Sequence, residues 1–207
     1  MRFTIIILMT LCSTFSGFNQ IITNDSIPLY FPESSFNPNK TFDDISNRYW
    51  SSYLFGLGKQ IIYNDKSIQE CYRLIYYGPG SSVVEIFKRG DKYIIISDSL
   101  PSLIKSFRRI DSLNKEDLFI KIPELRNLDL YFWDIKNGLY NPDKEYYILN
   151  DDRENWLLEL KKGGKYNVIT RIEPEKEIKD LIIQIMTASK HRGFRIWSSQ
   201  DKYEEFR

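Results

Sequence analysis

The chain has 207 residues, 42% of them hydrophobic and 15% aromatic, which is enough for one ordinary domain and excludes wholesale disorder. Basic and acidic groups balance at 29 against 28, so no positive field gathers phosphates, and a nucleic-acid partner is not expected. The single histidine and two cysteines leave little for histidine-based catalysis, zinc binding or a disulfide scaffold.

The N-terminus reads MRFTIIILMTLCSTFSG. Arg2 precedes an apolar run, Phe3 to Leu11, and small residues follow at Ser13, Thr14, Ser16 and Gly17. This is the layout of a signal peptide over residues 1–17, and the run is too short to span a bilayer. Export to the periplasm, cell envelope or exterior is the expectation. Cys12 offers a second route, a lipid anchor, but Leu11 stands where a lipobox wants a small residue. After cleavage Cys71 is the one certain cysteine, and no later apolar run could cross a membrane.

Residues 18–40, with Pro28, Pro32 and Pro38, read as an irregular leader. A single α+β domain is expected over 41–190. Its first helix spans Thr41 to Leu57, capped by Thr41, with Asp43 and Asp44 in the first turn and Ile45, Tyr49, Trp50, Tyr53 and Leu54 at helical spacing. Three β-rich runs follow, Glu70–Tyr77, Ser82–Lys88 and Tyr93–Asp98. Gly78-Pro79-Gly80 and Arg89-Gly90-Asp91-Lys92 separate them, which implies an antiparallel meander. Lys105–Asp111 is a further strand candidate. From Asn114 a helix is expected, with Asp117 completing a capping box and Pro123 dividing it. Residues 134–153 are polar and loop-like.

The most regular stretch is ENWLLELKKGGKYNVITRIEP, Glu154 to Pro174. Trp156, Leu158 and Leu160 share one face of a strand; Leu157, Glu159 and Lys161 share the other. Gly163-Gly164 supplies the positive φ angles of a tight turn, and Tyr166, Val168 and Thr170 alternate with Asn167, Ile169 and Arg171. An amphipathic helix over Glu175 to Lys190 comes next, then a polar tail over 191–207. The fold expectation is an α+β domain with one antiparallel sheet of about five or six strands and two or three helices packed on one face.

The hairpin pattern and the helix after it resemble a group of uncharacterised exported bacterial proteins. That group has a Trp-x-Leu-Glu strand, a Gly-Lys-Tyr turn and an Arg-x-x-Pro exit near its C-terminus. It also has an upstream Tyr-Arg, here Tyr72-Arg73, a helix ending in Phe-Trp, here Phe132-Trp133, and an early Trp-containing helix, here Trp50. The likeness covers about residues 45–190. It departs before Trp156, where the group has Asp-Gly and this chain has Asp151-Asp152-Arg153-Glu154-Asn155. The resemblance implies the fold and export, and no activity.

The candidate binding residues are Trp156, Arg171, Arg73, Glu159 and Tyr166. An arginine on a sheet face needs a carboxylate, so Arg171 is expected to pair with Glu159; the rival is a bidentate grip on a ligand carboxylate. The tryptophans are expected as core anchors; exposed, they would stack on sugars or grip a protein. His191 is expected on the surface at a basic helix end. Asp151, Asp152 and Glu154 lack calcium-loop order, and the glycine pairs lead into no helix, so no metal, cofactor or catalytic residue is assigned. The reading is a non-enzymatic module that binds an unknown macromolecule, protein or glycan. The alternative is a hydrolase of cell-wall or extracellular glycan, which needs two carboxyls about 5–10 Å apart.

Overall fold

The computed structural model describes residues 26–78, 81–99, 107–135, 155–171, 174–191, 194–198 and 202–206. The expected signal peptide, Cys12 and the polar 136–154 segment, with Asp151, Asp152 and Glu154, lie outside them. The chain divides into two compact units, with the break between Tyr63 and Asn64.

The first unit is built around helix α1, Lys40–Gly56. The cap sits at Asn39 rather than at Thr41: its Oδ1 accepts from the N–H of Thr41 at 3.0 Å and of Phe42 at 3.4 Å. Asp43 does more than favour the helix dipole. Its carboxylate accepts from the backbone N–H of Ser34 at 2.6 Å, Phe36 at 2.7 Å and Asn37 at 3.2 Å. One turn on, Asn47 donates to the Phe31 carbonyl at 2.8 Å; another turn on, Ser51 accepts from the Tyr30 N–H at 2.8 Å. Residues i, i+4 and i+8 thus form a buried polar stripe that satisfies the backbone of an otherwise irregular leader. Phe31 and Phe36 meet edge-on at 5.0 Å, and Trp50, Leu54 and Ile62 are buried in the same unit.

The second unit is a six-stranded antiparallel sheet. Its strands are β1 Glu70–Tyr77, β2 Ser82–Arg89, β3 Lys92–Ser99, β4 Phe107–Asn114, β5 Asn155–Lys162 and β6 Lys165–Arg171. They lie in the order β4-β3-β2-β1-β5-β6, so a four-stranded meander, β1 to β4, meets the β5–β6 hairpin at the β1–β5 pair. The β5–β6 turn is the expected double-glycine hairpin, with φ of +57° at Gly163 and +80° at Gly164. A separate hairpin, β7 Phe194–Ser198 with β8 Lys202–Phe206, forms where the sequence suggested a polar tail.

One face of the sheet carries the helices. The chain after β4 makes α2, Lys115–Lys121, a 3₁₀ turn at Pro123–Arg126, α3, Leu128–Tyr131, and a 3₁₀ turn at Phe132–Asp134. Asn114 caps α2 by accepting from the Asp117 N–H at 2.8 Å. Ile122 takes an extended φ of −132° before Pro123 and ends the helix, as the residue before a proline tends to do. Helix α4, Lys176–Ala188, presents Ile178, Leu181, Ile182, Ile185 and Met186. With Leu118, Leu125, Leu128 and Phe132 these side chains pack on Tyr72, Leu74, Val84, Ile86, Ile95, Leu158, Leu160 and Ile169 in one core. That is the expected α+β architecture, with the helical layer on a single face of the sheet.

Removing the Asp43 carboxylate strands buried N–H groups of the leader. Asp43→Ala is therefore expected to lower stability by about 2–3 kcal/mol. Asp44→Ala breaks only an exposed pair with Arg48 and is expected to change it by no more than about 0.5 kcal/mol. Urea denaturation of the two variants side by side measures the difference.

Candidate functional site

The central strands place a row of three charged side chains on the sheet face turned away from α2–α4. Arg73 stands at the middle of β1. The pairing sets it opposite Glu85 on β2 and opposite Glu159 on β5. Residues directly opposite one another share a face, so the three side chains meet. The Arg73 guanidinium donates from Nε to Glu85 Oε1 at 2.8 Å and from Nη1 to Glu159 Oε2 at 2.7 Å. Its Nη2 lies 2.8 Å from Glu85 Oε1. Tyr166, from β6, donates its hydroxyl to the other Glu159 oxygen at 2.8 Å.

This row is buried. Arg73 and Glu159 are both 0% exposed. Burial works against the guanidinium charge, but Glu159 and Glu85 outweigh it and hold Arg73 protonated. Burial pushes the Glu159 carboxyl up, against the pull of Arg73 and of the Tyr166 hydrogen bond. Two carboxylates share one cation, so the second is less well compensated than the first. Cys71 lies two residues before Arg73 on the same face; burial raises its thiol pKa, which keeps it protonated and unreactive.

Three of the five candidates therefore come together: Arg73, Glu159 and Tyr166. Trp156 and Arg171 do not join them. Both lie on the helix-covered face, directly opposite each other in the β5–β6 pairing. Trp156 is 1% exposed and stacks on Tyr76, its neighbour on β1, with ring centroids 4.5 Å apart. It is a core anchor, not a sugar platform. Arg171 donates instead to Glu175 at 2.9 and 3.0 Å, so the expected Arg171–Glu159 pair does not form. The reason is parity. A two-residue turn sets Glu159 opposite Val168, and three residues further along the strand leads to the other face.

Two arrangements escape the sequence reading. Glu70, on the helix-covered face of β1, accepts from the hydroxyls of Tyr72 at 2.6 Å and Tyr93 at 3.1 Å. Lys162, its register partner, lies 3.8 Å away and also bonds Asp129. Its members come from β1, β3, β5 and α3, and beyond Glu70 and Tyr72, two residues apart on one strand face, no local spacing links them. The second is His191, expected on the surface. It is half-buried just past α4, and its Nε2 lies 2.5 Å from the Ser97 hydroxyl on β3. Burial lowers the His191 pKa and favours the neutral imidazole, with Asp98 pulling weakly the other way. Ser97 is itself fully enclosed, so the pair offers no open nucleophile.

Chemically the row is closed. Its guanidinium is bonded to both carboxylates, and all three side chains are buried from solvent. Among the described residues no group of three or more His, Cys, Asp or Glu could hold a metal ion, and no helix is long and apolar enough to cross a membrane.

Arg73→Met leaves two carboxylates buried without their cation and is expected to destabilise the fold by about 3–5 kcal/mol, read from chemical denaturation. Tyr166→Phe removes one hydrogen bond to a charged group and is expected to remove about 2 kcal/mol. His191 has a folded pKa below its unfolded value. Its contribution is therefore complete above the unfolded pKa of about 6.5 and is lost progressively as the pH falls from there through the lower folded pKa. The drop in unfolding free energy from about pH 7.5 to about pH 5 is expected to be smaller in His191→Gln than in the parent. No family model matches this chain, and neither a curated protein nor a solved structure matches it.

Proposed function

We propose that this chain is an exported, non-enzymatic binding module whose partner is another protein. The observation that carries the reading is the exposure of two large aliphatic side chains on the helical layer. Ile120 of α2 is 71% exposed and Leu130 of α3 is 80% exposed. They stand on either side of the 3₁₀ turn at Pro123–Arg126, while Leu118, Leu125 and Leu128 beside them are buried. Exposed aliphatic groups gain from contact with another protein, whereas sugars call for flat aromatic faces. Trp50 and Trp156 are enclosed, so they lend no support to a glycan partner. The hydrolase alternative draws none from Glu85 and Glu159, which are buried on Arg73. The signal-peptide layout and the resemblance to exported bacterial proteins support the location.

The test is affinity capture from the envelope fraction of the source cells, with the parent and Ile120→Glu/Leu130→Glu proteins immobilised in parallel. The expected result is a protein held by the parent and lost from the double variant, with both giving the same circular dichroism. An identical set of proteins on both would overturn the reading. So would release of reducing sugar from purified cell-wall or extracellular polysaccharide by the parent, which would favour hydrolysis.

A further inference from the structure

The sheet has an edge strand, β4, whose protection against pairing rests on the charges of Arg108, Arg109 and Asp111 alone. It pairs with β3 along its whole length, from Phe107 opposite Ser99 to Asn114 opposite Lys92. On its other side no described strand is hydrogen-bonded to it. Its sequence, FRRIDSLN, holds no proline and no glycine, and the pairing runs without a bulge. Such an edge presents a row of backbone donors and acceptors to another strand.

The side chains narrow the choice of that strand. Alternation puts Arg108, Ile110 and Ser112 on the face away from the helices, and all three are exposed. Ile110 is 61% exposed. Arg109, Asp111 and Leu113 are half-buried on the helix side. Arg109 donates to the Asp111 carboxylate from Nε at 2.6 Å and from Nη2 at 3.1 Å. A cation and an anion thus sit symmetrically about an exposed isoleucine.

We propose that the outer edge of β4 is a homodimer interface, in which β4 of two copies pair antiparallel about a two-fold axis at Ile110. In that register Ile110 lies opposite Ile110 of the second copy. Arg109 lies opposite Asp111 of the second copy, twice by symmetry, and Arg108 lies opposite Ser112. The neighbouring symmetric registers that keep both helical layers on one side fail on charge. Centring on Arg109 sets two arginines face to face, and centring on Asp111 sets two aspartates face to face. Like charges directly opposite destabilise a strand pair, and opposite charges support it. The self-complementarity belongs to one register of this strand with itself, and a two-fold interface requires just that property.

The pairing also covers what the single copy leaves open. Ile96 on β3 is half-buried and stands directly opposite Ile110 on its inner side. Across the junction the row becomes Ile96, Ile110 and the same two residues of the second copy in reverse. The two Arg109–Asp111 pairs form a neutral ring of alternating charge on the other face. The Asp111 carboxyl is held low by Arg109, so the ring is charged at neutral pH. The pairing uses Arg109, Ile110 and Asp111 rather than Ile120 and Leu130, so either reading can fail without the other.

Sedimentation velocity on the purified protein over a range of concentrations tests the proposal. A concentration-dependent dimer is expected. Arg109→Asp is expected to raise its dissociation constant about tenfold or more, because two like-charge contacts replace two opposite ones. Arg109→Asp/Asp111→Arg restores opposite charges across the axis and is expected to recover dimerisation. Ile110→Cys changes little in the monomer and brings the introduced thiols within bridging distance, since directly opposed Cα atoms lie about 4.5–5.5 Å apart. It is expected to form a disulfide-linked dimer under mild oxidation, mapped by mass spectrometry to position 110. A protein that stays monomeric at every concentration overturns the proposal. A dimer insensitive to Arg109→Asp, with no cross-link from Ile110→Cys, overturns it equally.

Discussion

One buried guanidinium organises the central strands. Arg73 sits between Glu85 and Glu159, each directly opposite it, midway along the stretch where β2, β1 and β5 run side by side. A one-residue slip of either neighbour would drive a carboxylate into the apolar face and leave Arg73 against Val84, Ile86, Leu158 or Leu160. An uncompensated buried charge destabilises by several kcal/mol, whereas a hydrophobic row alone tolerates sliding. The row therefore sets register more than it adds stability. The helix-covered face inherits that register: Trp156 stacks on Tyr76 because the same pairing places them opposite each other.

Three further buried or half-buried polar groups are likewise committed internally. Glu70 gathers two phenols and a lysine, Asn167 donates to the carbonyls of Phe132 and Ile135, and Ser97 holds His191. Each ties the helical layer or the chain after it to the sheet. The large hydrophobic side chains left exposed among the described residues are Phe55, Ile120 and Leu130 on or beside helices and Ile110 on the edge strand.

Local pattern carried much of the fold. The period-2 runs around Arg73, Glu85 and Glu159 read as strands, and the double glycine read as the turn that joins β5 to β6, because a positive φ at both positions suits few other residues. Pro123 read as the break between α2 and the following turn. The apolar stripe of α4 was equally plain, since its spacing alone defines a buried face. The site was half legible. Arg73, Glu159 and Tyr166 stood out as polar residues on strands, but the partner of Glu159 was misassigned. Counting residues outward from the two-residue turn excludes Arg171, which falls on the opposite face; the pairing of β1 with β5 supplies Arg73 and is written in no local spacing.

The amino-acid sequence by itself determined the elements that depend on neighbours within a few residues: alternation, helical periodicity, the glycine turn and the proline break. Only the tertiary structure decided which strands lie side by side, and hence which charge meets which. It placed Asp43 under the leader, His191 against Ser97 and Arg73 between two glutamates separated from it by 12 and 86 positions. The physical reason is range. Backbone propensity and capping act over one or two turns, whereas a buried ion pair is chosen by the global register that leaves no charge unmatched.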